Sequence, residues 1–200
     1  MAKCQLSAYS SLSNGEILRK AIHISGFAVP FASIFFHSRL VSLSLFLVTI
    51  LYAVSELART KGINVPVFST ITRKAAMSNP EINHFVTAPI SFAMGITLAL
   101  LIFPPYIAYV SIAVLTLGDG FAGIFGKIFG KTPYFFNGKK KLEGTICGFI
   151  CAFLGSTLFI GPTKALVAAA VGMLVECLPL PIDDNLVTPL SVGTALILFT

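Results

Sequence analysis

The sequence predicts an all-α integral membrane protein, a bundle of about seven transmembrane helices with its N-terminus in the cytoplasm. Composition is the first reason. Hydrophobic residues make up 56% of the 200 and charged residues only 11%, with a mean hydropathy of +0.89. A soluble domain carries about 25% charged residues, so this chain has too little charge to cover a water-facing surface. The second reason is spacing: apolar stretches recur between short polar turns, and seven spans of about 20 residues would use about 140 residues. The third is a one-sided distribution of lysine and arginine, which orients the bundle.

Residues 1–16, MAKCQLSAYSSLSNGE, are polar and Ser-rich. They lack the apolar core of a signal peptide and are read as a lead-in to a single transmembrane domain, 17–200. The first apolar segment runs from about Ile17 to Phe36. It opens with Arg19, Lys20 and His23, and Pro30 is placed to kink it. After the turn His37-Ser38-Arg39, the second runs from Leu40 to Leu57. Thr60 to Asn83 is a polar loop, with an apolar patch, Ile63 to Ile71, suited to the membrane interface. The third segment, His84 to Phe103, is ended by Pro104-Pro105.

The fourth, Tyr106 to Leu117, is short. Twelve helical residues reach about 18 Å, against a hydrocarbon core of about 30 Å. It either continues as helix to Phe129 or stops at mid-depth beside a cavity. Both outcomes bring Asp119 close to, or into, the membrane. Gly144 to Ile160, Lys164 to Leu178 and Leu186 to Thr200 complete the set, broken by Gly161-Pro162 and by Pro179 and Pro181.

With alternating spans, Arg39 and Lys164 fall on one side and the remaining basic residues of the 14 on the other, which is therefore cytoplasmic. The acids follow them. Glu16, Glu56, Glu81, Asp119, Glu143, Glu176, Asp183 and Asp184, all 8 in the chain, fall near the cytoplasmic side with His23 and His84. A transporter needs polar groups along its path across the bilayer. The outer half has none, which favours chemistry at one membrane face. Cys147 and Cys151 share a helix face, Cys4 and Cys177 are remote, and no spacing suits zinc; the cysteines are packing residues. Walker, kinase-loop, nucleophile-elbow and HExxH motifs are absent, so soluble kinase and hydrolase schemes have no foothold.

The chemistry-bearing stretch is Leu117 to Gly144, LGDGFAGIFGKIFGKTPYFFNGKKKLEG. Asp119 lies between Gly118 and Gly120 at the end of an apolar segment, where an acid is costly unless it is used. It suits a Mg²⁺ ligand or a general base. Gly123, Gly126 and Gly130 suit either close helix packing or exposure of backbone N–H groups to phosphate. Lys127, Lys131, Lys139, Lys140 and Lys141 suit either a membrane anchor or a triphosphate clamp. The adjacent Glu143-Gly144 at a span start favours the clamp. Asp183-Asp184-Asn185 offers oxygen ligands for Mg²⁺ or a helix cap. Glu56 and Glu176 sit at cytoplasmic span ends, where each either pairs with a nearby base or joins the site. Arg19 and His23 share a helix face.

These residues together resemble the CTP-dependent polyprenol kinase family of dolichol, phytol and diacylglycerol kinases. The family pattern is D-x-x-A-x-x-x-G, a further glycine, then K-K-T/S-x-E-G. Asp119, Ala122, Gly126 and Gly130 fit it, followed by Lys139-Lys140-Lys141-Leu142-Glu143-Gly144, with Lys141 standing where the family carries Thr or Ser. Arg19-Lys20…His23, Glu56-Leu57-Ala58-Arg59 and Pro181-Ile182-Asp183-Asp184-Asn185 are similar to flanking parts of the family.

The resemblance implies CTP-dependent phosphorylation of a membrane lipid alcohol of polyprenol, dolichol, phytol or geranylgeraniol type, with Mg²⁺ as cofactor. CTP, the lipid alcohol and the bilayer are the implied partners, and no nucleic acid. Asp119, Glu143 and Lys140 would be catalytic. Gly120, Ala122, Gly123, Gly126, Gly130, Lys139, Lys140, Lys141, Gly144, Arg19, Lys20 and His23 would hold the nucleotide. Asp119, Glu143, Asp183, Asp184, Glu56 and Glu176 are the metal candidates. Phosphatidate cytidylyltransferase-like CDP-lipid synthesis is the alternative, and a small transporter or structural membrane protein is the third reading.

Overall fold

A segment that is apolar on every face must be helical when surrounded by lipid or protein, because only a helix satisfies each backbone N–H and C=O within its own length. A computed structural model of the chain describes residues 13–76, 85–138 and 140–199. Among these residues every extended regular element is a helix, and the protein is the expected all-α membrane type. Asn14–Phe36, Ser38–Thr60 and Pro105–Ile128 are long and apolar enough to cross a bilayer; Ala88–Ile102, Leu142–Ser156 and Asp184–Leu198 are shorter apolar helices.

α1 (Asn14–Ser25) begins three residues before the expected Ile17. Ser13 accepts from the Glu16 N–H at 3.3 Å and Glu16 accepts from the Ser13 N–H at 3.0 Å, a reciprocal cap that satisfies two of the donors orphaned at a helix start. α2 (Ala28–Phe36) follows a break at Gly26-Phe27. Pro30 causes it: it brings no N–H, and its ring crowds the carbonyl four residues back, at Gly26. α3 (Ser38–Thr60) is largely lipid-facing, with Leu43, Leu47 and Leu51 all more than half exposed. α4 (Pro66–Ala76) begins in the predicted interfacial patch, runs five residues beyond its end at Ile71, and packs on α1 and α3.

α5 (Ala88–Ile102) stops before Pro104, as expected. α6 (Pro105–Ala113) then runs through a π-helical turn, Val114–Asp119, into α7 (Gly120–Ile128) without leaving the helical path. Of the two outcomes open for the fourth segment, continuation is the one observed. This helix is the axis of the fold: Ile107, Val110, Ile112, Val114 and Leu115 are buried in the core. α8 (Leu142–Ser156), α9 (Pro162–Cys177) and α10 (Asp184–Leu198) pack around it.

Two contacts between helices depend on the absence of a side chain. At the α7–α8 crossing, a Cβ on Gly144 would lie 2.5 Å from the Ala122 carbonyl oxygen and 2.7 Å from Gly126 Cα. Both are backbone atoms, so the helices themselves would have to part. Gly144→Ala is expected to destabilise by about 1–3 kcal/mol, the usual cost of overpacking, read as a lower melting temperature in detergent. In α10, Pro189 supplies no N–H to the Asn185 carbonyl four residues back. That carbonyl points at Gly95 of α5, where a Cβ would stand 2.1 Å from it.

Glu56 belongs to this framework. It is 1% exposed, receives Arg59 at 2.7 and 2.9 Å and accepts the Val86 N–H at 2.9 Å. It thereby ties α3 to the start of α5.

Candidate functional site

The site forms where the axial helix changes its winding. A π turn has wider hydrogen-bond spacing than an α-helix and shifts carbonyls out of the regular ladder; such turns recur at functional sites. The turn ends at Asp119. The Leu115 carbonyl within it meets His23 Nε2 of α1 at 3.1 Å. The same Nε2 lies 3.2 Å from Asp119 Oδ2. A carbonyl only accepts, so this nitrogen carries the hydrogen. Lys20, one turn earlier on α1, donates from Nζ to Asp119 Oδ2 at 2.9 Å and to the Asp119 carbonyl at 3.0 Å. Gly123 makes room for it, since a Cβ there would fall 2.3 Å from Lys20 Cε. A second tether, Lys127 to Glu16, joins the same two helices.

Lys140 enters from the opposite side. Its Nζ pairs with Glu176 of α9, lies 3.2 Å from Asp184 Oδ2 at the start of α10, and stands 3.9 Å from Asp119 Oδ1. Partial burial works against its charge, but Glu176, then Asp119 and Asp184, hold Lys140 above the usual lysine range. It therefore remains an ammonium under ordinary conditions. Four separate parts of the sequence meet here: α1, the end of the π turn, the α7–α8 connection, and the α9–α10 junction.

Several expected site residues have other places. Glu143 accepts the Thr132 N–H at 3.1 and 3.2 Å and the Thr132 hydroxyl at 2.9 Å. It closes the α7–α8 connection and is not brought to Asp119. Asp183 caps α10, accepting from the Asn185 N–H at 3.0 Å and its side-chain amide at 2.9 Å. The expectation that the glycine segment offers free N–H groups is not met, because α7 continues an existing helix and spends those donors internally. Gly120 packs against Ile24, and Gly126 and Gly130 against Gly144 and Lys141; Ala122 is buried at the same crossing. Lys141 faces the cavity described next, as does the exposed Arg19. Lys139, Glu81 and His84 lie outside the described residues.

The charged cluster forms one end of a cavity of about 1200 Å³. Its other end is apolar, walled by Val29, Leu45, Val48, Tyr52, Phe68 and Phe92 from α2, α3, α4 and α5. The Phe92 ring lies 4.3 Å from the His23 ring at the junction of the two ends. No feature of the sequence marked these apolar residues, because each looks like any lipid-facing side chain.

Mg²⁺ rarely needs an all-protein cage; one or two carboxylates with substrate phosphates suffice. Among the described residues no three His, Cys, Asp or Glu side chains form a metal-binding group, and the Lys140 ammonium sits among Asp119, Glu176 and Asp184. Asp119 and Asp184, which line the cavity, fit partial ligation of that kind. Glu56 and Glu143, spent elsewhere, do not.

Fold and site together define an all-α membrane protein with an ionic cluster at the end of an amphipathic cavity. In sequence, the chain is similar to plant proteins named phytol kinase. It is 29% identical over 127 residues to the probable chloroplastic phytol kinase of Triticum aestivum, 54% of this chain and 42% of that protein. It is 30% identical over 130 residues to the probable chloroplastic phytol kinase 2 of Glycine max, 56% of this chain and 44% of that one. It is 30% identical over 141 residues to the Zea mays protein, 61% and 45% respectively. The chain thus matches less than half the length of these relatives. The likeness is to proteins named phytol kinase and extends over 54–61% of this chain. No family model and no solved structure matches the chain.

Proposed function

We propose that the protein transfers the γ-phosphoryl group of CTP to the hydroxyl of a membrane lipid alcohol of phytol, geranylgeraniol or polyprenol type, at the cytoplasmic face. The observation that carries this reading is the amphipathic cavity with Lys20, Asp119, His23 and Lys140 at its polar end. Likeness to proteins named phytol kinase supports it, and CTP as donor rests on the motif resemblance alone. The one-sided basic residues support the cytoplasmic assignment.

Phosphoryl transfer asks a protein for positioning and charge stabilisation rather than covalent chemistry. The apolar end of the cavity would take the hydrocarbon tail, leaving only the hydroxyl to reach Asp119. Asp119 would accept the hydroxyl proton as the alcohol oxygen forms its bond to the γ-phosphorus. The bond from that phosphorus to the bridging oxygen breaks, and CDP departs. Lys20 and Lys140 would neutralise phosphate oxygens on either side of Asp119. Bound Mg²⁺ would supply further charge neutralisation, with Asp119 and Asp184 as its protein ligands.

His23 would orient Asp119 through the Nε2 hydrogen. His23→Phe is expected to lower kcat by about 10-fold or more while leaving the KM for nucleotide unchanged, since misplacing a reacting group is costly. His23→Gln, whose amide can still donate, should recover most of the loss; equal loss in both variants rules out positioning.

The deciding experiment incubates purified protein with γ-labelled CTP or ATP, Mg²⁺ and a panel of lipid alcohols. Label in the lipid and CDP as by-product support the proposal. Labelled pyrophosphate, released from CTP when a lipid phosphate replaces the alcohol, would point to a cytidylyltransferase instead.

A further inference from the structure

Between α7 and α8 the chain makes a narrow excursion, 131–141. Pro133 and Lys141 pair across it. The Tyr134 N–H donates to the Lys140 carbonyl at 3.2 Å and the Leu142 N–H to the Thr132 carbonyl at 3.0 Å. The returning arm delivers Lys140 to the charged cluster. The tip is aromatic: Tyr134 and Phe136 stack at 5.2 Å, with Phe135 edge-on to Phe136 at 4.9 Å. Phe135 is 99% exposed. None of the described residues covers it, although an aromatic ring in water is unfavourable.

The tip lies along an apolar surface. Tyr134 and Phe136 line a groove of about 420 Å³ with Ile146 and Phe149 of α8 and Leu174 and Leu178 of α9. That groove is continuous with the outward faces of the two helices, where Ile150 and Leu174 are 49% and 67% exposed. In a helical membrane protein such faces meet lipid. The Asn137 amide donates to the Cys177 carbonyl at 3.0 Å and pins the tip to the end of α9. Lys131 and Lys141 flank the base of the excursion. Aromatic rings at the membrane boundary with lysines beside them match the chemistry of the lipid interface, particularly anionic headgroups.

We infer that the Tyr134–Phe136 tip inserts into the interfacial layer of the bilayer on the side of the charged cluster, with lipid chains occupying the adjoining groove. The excursion is then a membrane-held arm: its outer end grips lipid and its inner arm holds Lys140 among Glu176, Asp184 and Asp119. The inference is independent of the reaction catalysed.

The sequence contains no tryptophan, so Phe135→Trp creates a sole indole reporter at a position where the larger ring meets little protein. The variant is reconstituted into phosphatidylcholine–phosphatidylglycerol vesicles. Its emission is expected to shift to the blue, to be strongly quenched by lipids brominated in the upper acyl chain, and to be barely affected by aqueous iodide. Water-like emission, quenched by iodide and indifferent to brominated lipid, would overturn the inference. So would blue-shifted emission that ignores brominated lipid and grows with the protein-to-lipid ratio, which would mean that a second copy covers the tip. A melting curve in detergent checks folding, and Phe136→Trp repeats the test at the neighbouring ring.

Discussion

Asp119→Asn is expected to remove phosphoryl transfer while leaving the protein folded and inserted. The amide is nearly isosteric and can still accept from Lys20 and His23, which hold this position at 2.9 and 3.2 Å. What it cannot do is take the hydroxyl proton or carry a negative charge. Losing a general base costs about 10²–10⁴ in rate, so kcat should fall by that factor, with a smaller fall in melting temperature than Lys140→Ala causes, because the amide keeps its hydrogen bonds while Lys20 loses its counter-charge. Nucleotide KM should rise as well, because an amide is a weaker Mg²⁺ ligand than a carboxylate. Full turnover in detergent from Asp119→Asn would sink the proposed function.

The second large effect concerns Lys140. Lys140→Ala leaves Glu176, only 3% exposed, without its partner inside the protein. Breaking a buried pair from one side costs about 3–5 kcal/mol, whereas replacing both partners with neutral groups is often nearly free. Lys140→Ala should therefore melt well below the parent in detergent. Lys140→Met combined with Glu176→Gln should recover most of the loss without recovering phosphoryl transfer. The pair is close enough for such a cycle to show strong non-additivity. Additive effects on stability would mean that the ion pair does not exist in the protein.

Segment type was readable throughout, because hydropathy and proline placement act locally. Pro104 ends α5, Pro30 lies one turn beyond a break, and Ile63 to Ile71 contains the first half of an amphipathic helix. Helix starts were less readable, although Ser13-x-x-Glu16 carried a cap signature ahead of Ile17. The site was legible as a set of residue types gathered at one end of the bundle. Which of them meet was not, because that depends on helix rotation. Lys140 reaches Glu176 and Asp184 across 36 and 44 residues of sequence, and no periodicity encodes such a meeting. Glu143 and Asp183 show the converse. Each sits in a motif suited to metal binding, yet each finds a backbone donor close by in sequence. The glycines of α7 were open to two readings, and the continuity of the helix decides for packing.

The π turn also separates two demands on a single rod. A residue advances an α-helix by about 100°, so one surplus residue per turn rotates everything beyond it relative to what precedes. Residues 107–113 can therefore present their faces to the core while Asp119 presents its own to α1 and the cavity. A one-residue deletion inside Val114–Asp119 would let the rod rewind as ordinary α-helix. The core-facing half would keep its azimuth, while Asp119 and the α7 face that crosses α8 at Gly144 would both turn out of phase with their partners.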